Sequence, residues 1–334
     1  MKLSSISKKM KLLSLGAATL LATGIFAGCG GSQQGASSGG KTYKVGIVQL
    51  VEHNALDAAN KGFVDGLKER GFEEGKNVTF DKQNAQADQS NLQNIAQRFV
   101  SGKMDLICAI ATPAAQTVAN ATKDIPIVGT AITDYVGAKL AASNEKPGGN
   151  VTGTSDQLPT DLQLAVIKDI LPDVMSVGIV YSSAEVNAQV QAERAIEAGK
   201  ELGIEVKTAT VTNSSEVQQA AESLDVDAYF VLVDNTVVSA IESMIQVAEA
   251  NGRLLVTSDA DSVERGAAAA LATDYKAQGI QTAGIIVDIL EGGDPATTPV
   301  QLQEGLELAV NPEAAERMGV ELPGTVVEQA AKTY

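Results

Sequence analysis

The same short series of apolar runs and amphipathic stripes occurs twice along this chain, and that repetition restricts the fold more than any other feature. Lys44-Val-Gly-Ile-Val48 reads as a short buried strand, and Asn54 to Arg70 carries Leu56, Ala59, Phe63, Val64 and Leu67 at helical spacing before Gly71 stops it. Asn77 to Lys82 is a second strand, Ser90 to Val100 a capped helix, Leu106 to Ala111 a third strand leading into a helix, and Ile125 to Gly129 a fourth strand. From Ser176 the plan begins again. Ser176 to Val180, Glu205 to Thr210, Asp227 to Val233 and Leu254 to Thr257 are its strands, with helices over Val186 to Leu202 and Ser214 to Leu224.

Two copies of a βα series predict an α/β protein of two Rossmann-like lobes with parallel sheets. The turn-rich stretch Pro147 to Gly153 separates the copies and is a hinge candidate. Past Asp259 come a strand from Ala267 to Ala272, a long helix from Tyr275 to Leu290 and a strand from Leu306 to Val310, which fit neither copy. A chain that crosses back makes a multi-strand hinge. The expected partition is residues 43–153 with about 274–292 in lobe 1, and 154–273 with about 293–334 in lobe 2.

The first 28 residues read as an address. Lys2, Lys8, Lys9 and Lys11 precede an apolar core from Leu12 to Phe26 that is short for a membrane span, and Phe26-Ala-Gly-Cys29 resembles the lipobox of bacterial lipoproteins. Cys29 is the expected acylation site, and residues 29–42, rich in Gly, Ser and Gln, form a flexible tether. Gly35 to Thr42 satisfies a phosphate-loop pattern but has a linker before it and a strand after it, so nucleotide binding is rejected. Four of the 25 basic residues lie in the address, which holds no acid, leaving 21 against 41 acids beyond it. Nucleic acid is thereby excluded as a partner. Cys108, the only other cysteine, falls inside an apolar strand and reads as a small buried hydrophobe.

If both sheets are parallel, the residues beyond each strand form the walls of one cleft. In the first half these include Gln49, His53, Asn84, Thr112, Ala114, Ala115, Thr133 and Asp134, and in the second Ser155, Asp156, Tyr181, Asp234, Asn235 and Asp259. Thr112 as N-cap, with Pro113 as first helical residue, offers free amides and a helix dipole to a carboxylate. Asp234, or Asp156 across the cleft, offers a charge-assisted bond to an ammonium, and the flat faces of His53 and Tyr181 suit a planar side chain. An α-amino acid has both charged groups. One histidine cannot build a His-based metal cluster, Gly153-Thr-Ser155-Asp-Gln157 lacks the final glycine of a nucleophile elbow, no GxGxxG follows the first strand, and neither a metal, a cofactor nor catalysis is implied.

Five strings carry a resemblance: Val45 to His53, Gln83 to Gln97, Ala111 to Gln116, Glu145 to Gly153 and Asp234 to Ala240. Together they resemble the solute-binding lipoproteins of ABC transporters in the tryptophan/tyrosine-type family, of the periplasmic-binding-protein-like type I class. The resemblance implies a two-lobed trap, anchored outside the bacterial cell membrane by its lipid, that closes on an amino acid, aromatic ones foremost, and delivers it to an ABC permease. A tethered monomer suffices for that task. Asn54 and Tyr135 stand where the family pattern has proline. The same fold binding a sugar, a nucleoside or another small polar solute, or acting as a surface adhesin or sensor, stays open at this point.

Overall fold

The computed structural model describes residues 41–303 and 305–334, so the address, Cys29 and the tether to residue 40 lie outside the described residues. The first series folds as β1 (Tyr43–Gln49), α1 (Asn54–Glu69), β2 (Val78–Asn84), α2 (Gln89–Ser101), β3 (Leu106–Ile110), α3 (Thr112–Ala121), β4 (Ile127–Ile132) and β5 (Val151–Ser155). After α4 (Thr160–Ile170) the second follows as β6 (Ser176–Ser182), α5 (Val186–Leu202), β7 (Glu205–Val211), α6 (Val217–Glu222), β8 (Ala228–Val231), α7 (Asn235–Val238), α8 (Ile241–Asn251), β9 (Leu254–Thr257), α9 (Ala260–Glu264) and β10 (Ala269–Ala272). The remainder is α10 (Tyr275–Leu290), β11 (Gln301–Leu302), β12 (Glu307–Val310), α11 (Pro312–Arg317), α12 (Gly324–Val327) and β13 (Lys332–Thr333).

The strands form two sheets, ordered β11-β5-β4-β3-β1-β2 and β13-β12-β10-β9-β8-β6-β7. Five strands of each share one order: β2-β1-β3-β4-β5 in the first sheet and β7-β6-β8-β9-β10 in the second. The repeat seen in the sequence is therefore a repeat of topology. All pairs are parallel except β10 with β12, which run antiparallel. Strands covered on both faces must be apolar throughout, and β3, β4, β8 and β9 are buried along their whole length. Cys108 lies there as a free thiol whose pKa burial raises. No described helix is long and apolar enough to cross a membrane.

Helix α10 follows a strand of the second sheet but packs in the first lobe. Tyr275, Ala283, Ile285, Ile286 and Ile289 share a core with Val45, Phe63 and Ile107. The contact is made by glycine: a Cβ on Gly279 would strike the Ala59 carbonyl of α1, and one on Gly62 would strike the Lys276 carbonyl. Among the described residues the chain passes between the sheets from Ser155 to Thr160, from Ala272 to Tyr275 and from Leu302 to Glu307.

These passages correct the expected hinge. Gly148 to Gly153 is no crossing, because Val151–Ser155 is a strand of the first sheet. Its glycine serves close packing instead: Gly153 has φ 147°, and a Cβ there would meet the Gly129 backbone and the Tyr135 hydroxyl. Residues 301–302 likewise pair with Thr154 and Ser155 of the first sheet, whereas the sequence partition gave 154 onward and 293–334 to lobe 2. The helix after β3 also begins one residue early. Ala111, at φ 82°, occupies the N-cap without a side-chain bond, and Thr112 is the first helical residue.

Candidate functional site

Parallel strands leave their C-terminal ends, and the helix starts that follow, facing the gap between the sheets. A narrow pocket lies there. Its first wall is His53, Ala55 and Leu56 at the start of α1, Ala131 of β4, Asp156 past β5, and Tyr275 at the start of α10. Its second wall is Val233, Asp234, Asn235 and Val238 around α7, with Asp259 before α9.

Asp156 is the chemically incomplete member of the first wall. Its side chain is buried, the Tyr275 hydroxyl donates to Oδ2 at 3.0 Å, and Oδ1 has no aligned hydrogen-bond partner. The Thr133 hydroxyl beside it is equally without one. Burial pushes the carboxyl up to about 6, against the lowering effect of Tyr275 and Thr133. The α1 terminus has spare donors. His53 caps it, with Nδ1 accepting from the Leu56 amide at 3.5 Å, and the first-turn amides of Asn54 and Ala55, which have no intrahelical partner, make no bond elsewhere.

His53 also reaches the other wall. Because Nδ1 accepts, Nε2 bears the proton and donates to Asn235 Oδ1 at 3.2 Å. Burial holds the ring below its usual pKa and therefore neutral at pH 7. A second link between lobes is the ion pair of Arg194 with Asp134 at 2.6 Å.

The acids of the second wall are fully used. Asp234 accepts from the Ser182 amide at 2.6 Å through Oδ2 and from the Val237 amide at 2.9 Å through Oδ1, which caps α7. Asp259 accepts from the Ser262 amide and hydroxyl, each at 2.8 Å. Glu185, buried behind them, takes the Asn235 side-chain amide at 2.5 Å and the Thr236 amide at 2.9 Å. Burial raises the Asp234 pKa well above the usual carboxylate range, and the charge of Glu185 raises it further.

Of the residues expected from sequence, the structure gathers His53, Asp156, Asp234, Asn235 and Asp259 around one cavity. The others are not among its lining residues. Gln49 pins α1 through Asp57 and Asn60, and Asn84 accepts from the Gln86 amide in a turn. Ala114 and Ala115 are packed in the core, and the Ser155 hydroxyl bonds the Thr133 carbonyl. Asp134 clasps Arg194, while Tyr181 is half-buried away from the cavity. Thr112 is buried with an unbonded hydroxyl, but the next residues, Pro113 and Gln116, open on an outer groove beside Ala184. The carboxylate seat expected at Thr112 and the ammonium seat expected at Asp234 therefore do not share the cavity, and Asp234 is committed to backbone amides.

Sequence reasoning missed Tyr275, Ala131 and Glu185. The signal for Tyr275 was available: Asp274 caps α10 just past a strand, as Asp234 and Asp259 cap their helices. Among the described residues no group of three His, Cys, Asp or Glu side chains is placed to hold a metal.

Known proteins show the same architecture. Residues 44–334 match the family described as ABC transporter substrate binding protein. The tyrosine-binding protein of Clostridioides difficile is 40% identical over 313 residues, 91% of either chain. A Streptococcus pneumonia ABC domain solved in complex with L-Trp is 35% identical and superimposes with a TM-score of 0.85 over 88% of this chain and 100% of its own. A ligand-free, open substrate binding protein with adhesive properties from Clostridium difficile is 39% identical, yet its TM-score is 0.67 over 87% of this chain and 99% of its own. At similar identity, the chain superimposes better on the L-Trp complex than on the ligand-free, open form.

Proposed function

The chain belongs to the ABC transporter substrate binding protein family, and from that membership and the cavity's chemistry we propose that it captures an aromatic α-amino acid, tyrosine or tryptophan first, for delivery to an ABC permease. The observation that carries the reading is Asp156 Oδ1, a buried carboxylate oxygen left without an aligned partner in a cavity lined by no lysine or arginine. A buried charge of that kind is costly until a cation meets it. The ligand ammonium supplies one, and the carboxylate of the same ligand falls to the open Asn54 and Ala55 amides at the positive end of α1. Leu56, Val233, Val238 and the His53 ring give the side chain an apolar surround.

Both the relative named for tyrosine and the neighbour solved with L-Trp support the aromatic choice. The address and Cys29 support an acylated protein held on the outer face of the cell membrane as a tethered monomer, and mass spectrometry of the Cys29 peptide tests the acylation. Calorimetric titration with tyrosine, tryptophan, phenylalanine, glutamate, lysine and glucose tests the ligand. Binding of the aromatic amino acids alone, or far more tightly than the rest, is expected. Absence of binding at millimolar aromatic amino acid overturns the reading.

A further inference from the structure

Gln278 is fully buried, yet neither end of its side-chain amide has a hydrogen-bond partner. Such a group costs free energy in an apolar interior unless something else satisfies it. Its position is fixed by two tethers. The Tyr275 hydroxyl bonds Asp156, and the Thr282 hydroxyl meets that of Thr154 at 2.8 Å. Thr154 and Asp156 are two apart on one extended segment and point to the same side. Residues 275, 278 and 282 follow helical spacing along one face of α10. Gln278 therefore lies on the face of α10 turned to β5, one turn from Tyr275 and behind the residues that line the cavity. Beside it the pairing of β4 with β5 slips between Gly129 and Ile132, and Ala131 takes φ 54° where it lines the cavity.

We infer that Gln278 completes the ammonium seat, its carbonyl oxygen joining Asp156 Oδ1 and the Thr133 hydroxyl as a third acceptor. Three acceptors for three N–H bonds select a primary ammonium over a secondary amine. This rests on the reading that the cavity takes an α-amino acid, and it assigns a further specificity to that site.

The test titrates wild type, Gln278→Met and Gln278→Glu with tyrosine, N-methyltyrosine and the deaminated analogue of tyrosine. Wild type is expected to favour tyrosine over N-methyltyrosine by about tenfold or more, as for a lost hydrogen bond to a charged group. Gln278→Met keeps the length but not the acceptor, and is expected to bind tyrosine about tenfold to a hundredfold more weakly with the preference reduced to about threefold or less. Gln278→Glu keeps an acceptor and retains the preference, so it and the wild-type ligand series decide the matter if the methionine variant fails to fold. Wild type indifferent to N-methylation, a methionine variant with unchanged tyrosine affinity, or a glutamate variant without the preference overturns the inference alone. Wild type that binds no α-amino acid overturns the functional reading as well.

Discussion

The two lobes repeat one topology, but two of their helix starts at the cavity, those of α1 and α7, are in opposite condition. In the second lobe the amides that open α7 are occupied from within: Asp234 takes Val237, and Glu185 takes Asn235 and Thr236. In the first lobe the α1 amides of Asn54 and Ala55 are open, and Asp156, Thr133 and Gln278 retain unbonded polar atoms. A site is legible where bonding capacity is left over, not where acids are most numerous. On the proposed reading the first lobe receives the ligand's charged groups and the second is the lid, which meets it through Asn235 on His53 and Arg194 on Asp134.

The sharpest way to break this contrast is to remove its charge. Asp156→Asn is expected to weaken tyrosine binding by about a hundredfold or more, as when one partner of a buried ion pair is lost. The same change should stabilise the ligand-free protein. The folded pKa of about 6 exceeds the ordinary aspartate value of about 3.9, so this carboxyl's contribution is full below pH 4 and is lost as pH rises through 6. At pH 7 that cost is about 3 kcal/mol, and Asp156→Asn should raise the melting temperature accordingly. A variant that loses both binding and stability would point to a structural role instead.

Asp234→Ala should do the reverse. It strips a cap from α7 and leaves the Ser182 amide unbonded, for a loss of about 2 to 4 kcal/mol in denaturant unfolding. Affinity in the folded fraction should change by less than tenfold; a loss as large as that of Asp156→Asn would return the ammonium to the second lobe.

Proton linkage sharpens the contrast further. An ammonium beside Asp156 lowers its pKa, so binding below pH 6 must expel a proton, and affinity should fall by up to about tenfold per pH unit from pH 6 downward. Calorimetry at pH 5 and pH 7 checks this, and a flat profile speaks against Asp156. The smallest effect belongs to the lid. Arg194→Ala breaks a partly exposed pair, and tyrosine affinity should drop about two- to fivefold, with the difference shrinking in high salt.

The parts of this account differ in how far the sequence reveals them. Apolar runs such as Leu106 to Ile110 and stripes such as Leu56, Phe63 and Leu67 reveal strands and helices because burial writes them locally. Parallel sheets direct attention to the strand ends, where His53, Asp156, Asp234, Asn235 and Asp259 line the cavity. Which acid there is free was not legible, because it depends on which oxygens distant amides have already taken, as Ser182 does with Asp234. Tyr275 and Gln278 escaped notice for a related reason. They come from a helix that follows the second sheet yet packs on α1 through glycine contacts that no local pattern announces. The glycines at 148–153 misled in the opposite direction, suggesting freedom where one of them is demanded by crowding.

A crystal structure of the complex with tyrosine tests the central claim most directly. The account predicts the ligand nitrogen within hydrogen-bond distance of Asp156 Oδ1 and the ligand carboxylate on the Asn54 and Ala55 amides, with the Asp234 caps intact. A nitrogen seated on Asp234 or Asp259, with Asp156 still bonded to Tyr275 alone, would contradict it.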